Sequence, residues 1–280
     1  MTIPLGLHMC GWGGRPLPDL LVAARELGYD GVELAPAWLE KTYGSLGEID
    51  RLLAQENAPL APAVFVGGPG IDAAGLAQSL DQTTRYARWA KAHGGDRVIY
   101  STVPGQAGRR TNQEREGMRR AWNAVAEAAA AEGCTPLYHN HYVVSHAVSK
   151  ALLEEDMELL DWSIWRLCVD TGHLVLALQN PVPFVEKWAL RVAWMHGKDV
   201  KTTTFAEPES PRPMASIVPH FTSLGSGVID FGGVVAALGR AGYDGWLVVE
   251  QDASPNPYAT AKASHRMGSG LGIGISSQEG

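Results

Sequence analysis

The sequence is poor in cysteine, in charge and in long apolar runs. Among its 280 residues there are three cysteines, Cys10, Cys134 and Cys168, far apart and with no CxxC pair. An odd, scattered set reads as free thiols; Cys134 and Cys168, beside apolar runs, read as buried and suit a reducing compartment. Charged residues make up only 19% against 45% apolar, which excludes a disordered chain. The basic surplus that tracks phosphate is missing: thirty acidic residues face twenty-three basic ones, a net charge of −7. Nucleic acid is therefore not an expected partner, although a small anion in a local pocket is still allowed. No apolar run approaches the ~18–20 residues of a membrane helix. The opening MTIPLGLHMCGWGGRP lacks a basic start and an apolar core of signal-peptide length. The expectation is a soluble, cytoplasmic chain with no membrane partner. Both Gly-rich phosphate fingerprints are also absent, since Gly67-Gly68-Pro69-Gly70 carries no lysine and no second half of either.

What is present is one repeated phrase: an amphipathic helix, a glycine stop, then a short apolar strand. Leu20, Ala23, Ala24 and Leu27 fall at i, i+3, i+4 and i+7, Gly28 ends the helix, and a strand follows over 32–35. Near the C-terminus Val234, Ala237 and Leu238, then Gly242, lead to a strand over 246–249. Both junctions spell GYDG, at 28–31 and 242–245, an echo that suggests repeated units closing on each other. Further strands are expected at 4–9, 60–66, 97–101, 136–140, 166–170 and 192–196. Thr111 with Glu114 forms a capping box opening a helix over 112–132, and Asn256-Pro257 opens the last helix. Eight strands alternating with helices predict an α/β fold, a single (β/α)8 barrel spanning 1–265, in preference to a doubly wound sheet. A Gly/Ser-rich tail is expected over 266–280, and the polar, proline-bearing stretch 201–225 is long enough to be a lid.

In such a barrel the site lies at the C-terminal strand ends, and ionisable residues collect there. Strand five ends in His139-Asn140-His141, strand six in Asp170 with His173 close behind, strand seven in His196-Gly197-Lys198-Asp199, and strand eight in Glu250-Gln251-Asp252. Two imidazoles and two carboxylates converging from neighbouring strands would make a mixed nitrogen and oxygen site for one divalent metal. Mn, Co, Fe or Zn suit such donors better than Mg, because imidazole is softer than magnesium prefers. Taken singly, each histidine reads as a hydrogen-bonded core residue rather than a ligand; the joint placement favours the metal.

GYDGVEL (28–34), YHNH (138–141), VDTGH (169–173), HGKD (196–199) and GSGVIDFGGVVAALGRAGYDGWLVVEQD (225–252) resemble the xylose-isomerase-like barrel superfamily of sugar isomerases and epimerases. Within it, the chain is similar to the neighbourhood of inosose dehydratases, over a stretch reaching from the first strand to about residue 265. The resemblance implies that Asp170, His196 and Glu250 are metal ligands and that His173 touches substrate. Many epimerases of the superfamily carry a glutamate as ligand and base on strand five, where His139 stands here. A subset with a YHxH signature, dehydratase-like members included, shares this feature. His139 is accordingly taken as a ligand, His141 as a substrate or acid/base contact, and inversion by a pair of glutamates is in doubt.

The implied chemistry is proton abstraction next to a carbonyl through an enediolate, with Glu250 as base and His173 or His141 supplying a proton from another side. The expectation is a divalent-metal-dependent sugar or polyol isomerase/epimerase; the alternative is an inosose-dehydratase-like lyase removing water from a keto-inositol or keto-sugar. The small-molecule sugar or polyol is the expected partner, and the resemblance leaves room for a homo-oligomer. A DNA-repair endonuclease on the related barrel would need a richer histidine set and a basic groove. Glu33 either contacts substrate hydroxyls or pairs with a nearby Lys or Arg, Trp12 and His8 either wall the pocket or pack, and Asp199 is expected to support the ligand His196.

Overall fold

Helix ends and strand starts fall where turn chemistry puts them. Gly28 takes the left-handed conformation, φ +83°, that closes the helix Leu17–Leu27, and its echo Gly242 has φ +71°. The helix Asn112–Ala131 opens on the full capping box: Thr111 Oγ1 accepts from the Glu114 amide while the Glu114 carboxylate accepts from the Thr111 amide. Asn256 caps the last helix with Pro257 in its first turn.

The computed structural model describes residues 3–105, 108–203, 217–252 and 254–274. Its strands are β1 (Leu5–His8), β2 (Gly31–Leu34), β3 (Leu60–Phe65), β4 (Arg97–Ser101), β5 (Thr135–His139), β6 (Arg166–Asp170), β7 (Val192–Gly197), β8 (Asp199–Val200), β9 (Phe221–Thr222) and β10 (Trp246–Val249). The first seven and β10 pair in parallel and close in the order β1-β10-β7-β6-β5-β4-β3-β2. Helices fill the crossovers, so the chain is a single (β/α)8 barrel, as the eight-unit pattern predicts. The two short strands β8 and β9 form a separate antiparallel ribbon beside the barrel mouth.

Inside the barrel, residues two apart stack in layers. Ala61, Ala63, Ile99, Leu137, Cys168, Trp194 and Val248 form a buried apolar plug. Trp194 stacks on Trp246, with ring centroids 5.9 Å apart and planes 18° from parallel. Room for these indoles comes from Gly31, where a Cβ would lie 3.0 Å from Trp246 and 2.8 Å from the Ala61 amide. One step further along most strands, toward the C-terminal mouth, the inward positions turn polar, as at Glu33, His139, Asp170, His196 and Glu250, while β3 contributes Phe65. Between the barrel and its helices Met118, Trp122, Val125 and Ala129 are buried, the face expected for that helix.

One expectation needs adjustment. The boundary drawn at 265 falls inside the last helix, which runs Pro257–Gly270; Ile273 beyond it is buried and pairs with Ile3. Small residues allow this: a Cβ on Gly268 would lie 2.8 Å from Leu5. The rest of the expected tail, 275–280, and most of the expected lid, 204–216, lie outside the described residues. No helix among those described is long and apolar enough to cross a membrane.

Candidate active site

Register brings the polar residues into one ring. Asp170 on β6 pairs with His196 on β7, His196 pairs with Val248 two residues before Glu250, and His139 ends β5 beside Cys168 of β6. The side chains of His139, Asp170 and His196 are fully or almost fully buried, and Glu250 is only 7% exposed. Each offers one donor atom, and the four atoms lie within 4.8 Å of one another. Among the described residues His139 Nε2, Asp170 Oδ2, His196 Nδ1 and Glu250 Oε2 have no hydrogen-bond partner. His196 Nδ1 and Glu250 Oε2 do approach to 2.5 Å, but off the hydrogen-bonding direction. A buried polar atom left unpaired costs roughly 1–3 kcal/mol. Four such atoms converging on one point are the arrangement of a cation site, and two nitrogens with two carboxylates are a donor set a divalent transition metal accepts.

The surrounding bonds fix which atom each candidate ligand presents. Glu33 is fully buried at the end of β2 and accepts from the Trp194 indole at 2.6 Å; its oxygens lie 3.0 and 3.2 Å from His196 Nε2. With Nε2 carrying a proton toward Glu33, Nδ1 is the nitrogen that faces the cluster. His8 also faces Glu33, Nε2 to Oε1 3.3 Å, while its Nδ1 accepts from the Cys10 amide. Glu33 thus pairs with two histidines and a tryptophan, and among the described residues with no Lys or Arg of the kind considered from sequence. Asp170 is held by its second oxygen, which accepts from the His173 amide at 2.7 Å; Asn140 bridges to the Asp170 backbone.

Lys198, two residues beyond His196 and so on the same face, is the participant that sequence reasoning left without a role. It is fully buried, and Nζ lies 2.9 Å from Glu250 Oε1, 3.0 Å from Asp252 Oδ2, 3.0 Å from His173 Nε2 and 3.4 Å from Asp170 Oδ2. The period-two alternation of a strand, carried two residues past His196, is the signal that points to it. Asp199 falls on the opposite face. Its carboxylate accepts from the amides of Val200, Gly225, Gly227 and Ile229, so it shapes the loop after β9 instead of supporting His196.

His141 and His173 stand together at the mouth, ring centroids 4.2 Å apart, with His139 5.8 and 5.9 Å away from them. Burial, then the neighbouring His139 and Lys198, brings the His141 imidazole down to about 4. Burial and Lys198 hold His173 well below the ordinary range, so both rings are neutral at pH 7. Burial disfavours the ionised form of Glu250, but Lys198, His196 and His8 outweigh it and hold the carboxyl well below its usual range. Burial raises Asp170 despite Lys198. Phe65 closes one side, set edge-on to both His8 and His139. Trp12 is buried and lines a cavity of about 180 Å³ with Met9, Arg15, Trp38 and Tyr43. No member of the cluster lines that cavity.

The family model described as xylose isomerase-like TIM barrel matches residues 21–268. The chain belongs to that family. Curated relatives of this xylose isomerase-like barrel include the inosose dehydratase of Clostridium beijerinckii, 28% identical over 150 residues, 51% of this chain and 50% of that protein. That of Geobacillus thermodenitrificans is 33% identical over 145 residues, 50% and 48% of the two chains. The chain thus spans about half the length of the curated relatives it matches. A xylose isomerase domain protein from Alicyclobacillus acidocaldarius superposes with TM-score 0.73 at 18% identity, covering 97% and 98% of the two chains. The probable 3-DHS dehydratase AsbF of Bacillus anthracis gives 0.69 at 13% identity, over 95% and 98%. At such identities the likeness is one of fold.

Proposed function

We propose that this xylose isomerase-like barrel is a divalent-metal-dependent sugar or polyol isomerase/epimerase that removes a proton next to a carbonyl. The observation that carries the reading is the convergence of four buried donor atoms from His139, Asp170, His196 and Glu250 within 4.8 Å, none of them in a hydrogen bond among the described residues. A cation held there would act as a Lewis acid, polarising the carbonyl and favouring the enediolate. Mn, Co, Zn and Fe suit the donor set better than Mg.

The chain's own groups would handle the proton. Glu250 is ionised, and its Oε1 accepts from Lys198 at 2.9 Å and from the Cys10 thiol at 3.6 Å; the thiol also has the Gln251 carbonyl at 3.5 Å, and turning to it leaves that oxygen a lone pair for the carbon-bound proton. Carried by Glu250 to the adjacent carbon, the proton gives the isomer. Replaced from the side of His141 and His173, it gives the epimer. Because Lys198 occupies Nε2 of His173, that ring presents Nδ1–H, a donor to a substrate hydroxyl. Glu33 is already bonded to Trp194 and His196, so we assign it to orienting His196 in place of substrate contact.

The inosose dehydratase relatives favour a second reading, in which the proton taken by Glu250 leaves with a β-hydroxyl as water and a keto-inositol or keto-sugar is dehydrated. One experiment addresses metal and reaction together. Protein purified without chelator is analysed for metal, as wild type, Asp170→Ala and Glu250→Ala, and then incubated with ketoses and keto-inositols in deuterated water. About one ion per chain in wild type, reduced in both variants, is expected. Deuterium uptake without loss of water supports the isomerase/epimerase; loss of water supports the lyase. No metal after adding Mn or Co would sink both.

A further inference from the structure

An ammonium group has three protons to donate and no lone pair once protonated. Lys198 Nζ has three acceptors at hydrogen-bond distance, Glu250 Oε1, Asp252 Oδ2 and His173 Nε2, at 2.9, 3.0 and 3.0 Å. Its protons are all committed, and its side chain is fully buried. A lysine acting as acid or substrate donor would keep one proton directed at an open space; this one does not.

What the three bonds accomplish is orientation. Holding Oε1 of Glu250 directs the unpartnered Oε2 at the ligand cluster, and holding Nε2 of His173 reserves its unpartnered Nδ1 as the N–H end. The stem is fixed as closely as the head. Gly172, in the helix that follows Asp170, lies against it: a Cβ there would stand 2.7 Å from Lys198 Cγ and 3.1 Å from its Cβ and Cδ. The Phe221 ring covers the other end, 4.9 Å from Nζ. Ordering a lysine costs it rotamer freedom, so such confinement marks a position where direction matters.

We infer that Lys198 is a positioning residue, which sets the Glu250 carboxylate as a ligand and the His173 ring as a donor without itself exchanging a proton with substrate. The inference rests on the metal reading given above. Charge and position make opposite predictions. Removing a cation next to a metal site relieves repulsion and should tighten binding; removing a clamp lets Glu250 turn away and should loosen it.

The test uses cobalt(II) as the probe, with its affinity read by titration and its visible absorption band reporting the ligand geometry. Lys198→Met is expected to bind cobalt at least tenfold more weakly than wild type, with a shifted band. Binding as tight as wild type or tighter, with the same band, overturns the inference. If Lys198→Met does not fold, as judged by circular dichroism, Gly172→Ala decides on the same two readings. It displaces the lysine stem without altering any charge and is expected to weaken cobalt binding at least threefold. Wild-type protein that takes up no cobalt overturns the metal reading and this inference with it. Wild-type uptake with unchanged variants overturns this inference alone.

Discussion

The side chain on which the site turns is His196, caught between carboxylates. Burial opposes its protonation, but Cys168, Glu33 and Glu250 outweigh that, and its imidazole is pushed well above the usual range. A metal-free His196 is therefore protonated at neutral pH, and a cation at Nδ1 has to displace that proton. The sign follows: lowering the pH favours the proton, raising it favours the metal. Affinity should climb between pH 6 and 8 by up to about tenfold per unit for one displaced proton. Calorimetric titration in buffers of different ionisation heat should register the proton released, and an affinity that stays flat across this range would contradict the assignment. Glu33 shows where residue-scale reading stopped short. Its strand was legible, but which neighbours it meets depends on β7 lying across the barrel, 163 residues away in sequence from β2 at His196.

At the scale of elements, the sequence was most readable where local chemistry decides. Strand positions, the capping box at Thr111 and the glycine stop at Gly28 depend on neighbours a few residues away, and all stand in the structure. The four candidate ligands were legible for a related reason: strand ends converge in any such barrel, so placing the strands placed them. Less legible were contacts between distant elements, and Asp156 is the plainest case. It sits on the helix His146–Leu159, fully buried, and accepts from Arg110 at 2.6 Å, the Tyr138 hydroxyl at 3.0 Å and the Trp122 indole at 3.3 Å. The Arg110 side chain is itself only 1% exposed. Asp156→Ala would leave that guanidinium buried with Glu155 as its remaining carboxylate, and breaking a buried pair costs about 3–5 kcal/mol. Urea unfolding should show a loss of that order, and a change under about 1 kcal/mol would mean water compensates Arg110.

For the whole molecule the question is how a closed barrel secures its seam. β1 and β10 meet along Leu5–Leu247, Gly6–Val248 and Leu7–Val249, joining the two ends of the chain. The last helix and Ile273 lie over that seam, with Ile273 bridged to Ile3 and 1% exposed. A chain ending at His265 would lose Ile273, worth roughly 1.5–3 kcal/mol by burial, and the final turn of the helix as well. It should melt several degrees lower, and equal melting temperatures would show that the segment adds nothing to closure. Composition marks the segment only as Gly/Ser-rich. The segment is ordered because small residues let it approach Leu5 closely, a property of shape that composition does not express.

The stacked pair Trp194–Trp246 gives the barrel an optical consequence. Trp194 donates its indole proton to the same glutamate that orients His196, and it lies two residues before that histidine. An indole so placed shares its electronic surroundings with the candidate ligand sphere while water is kept from its ring. A paramagnetic ion such as Mn or Co, bound at the candidate site, would be expected to change the emission of this buried indole, so the protein's own fluorescence offers a readout of metal uptake.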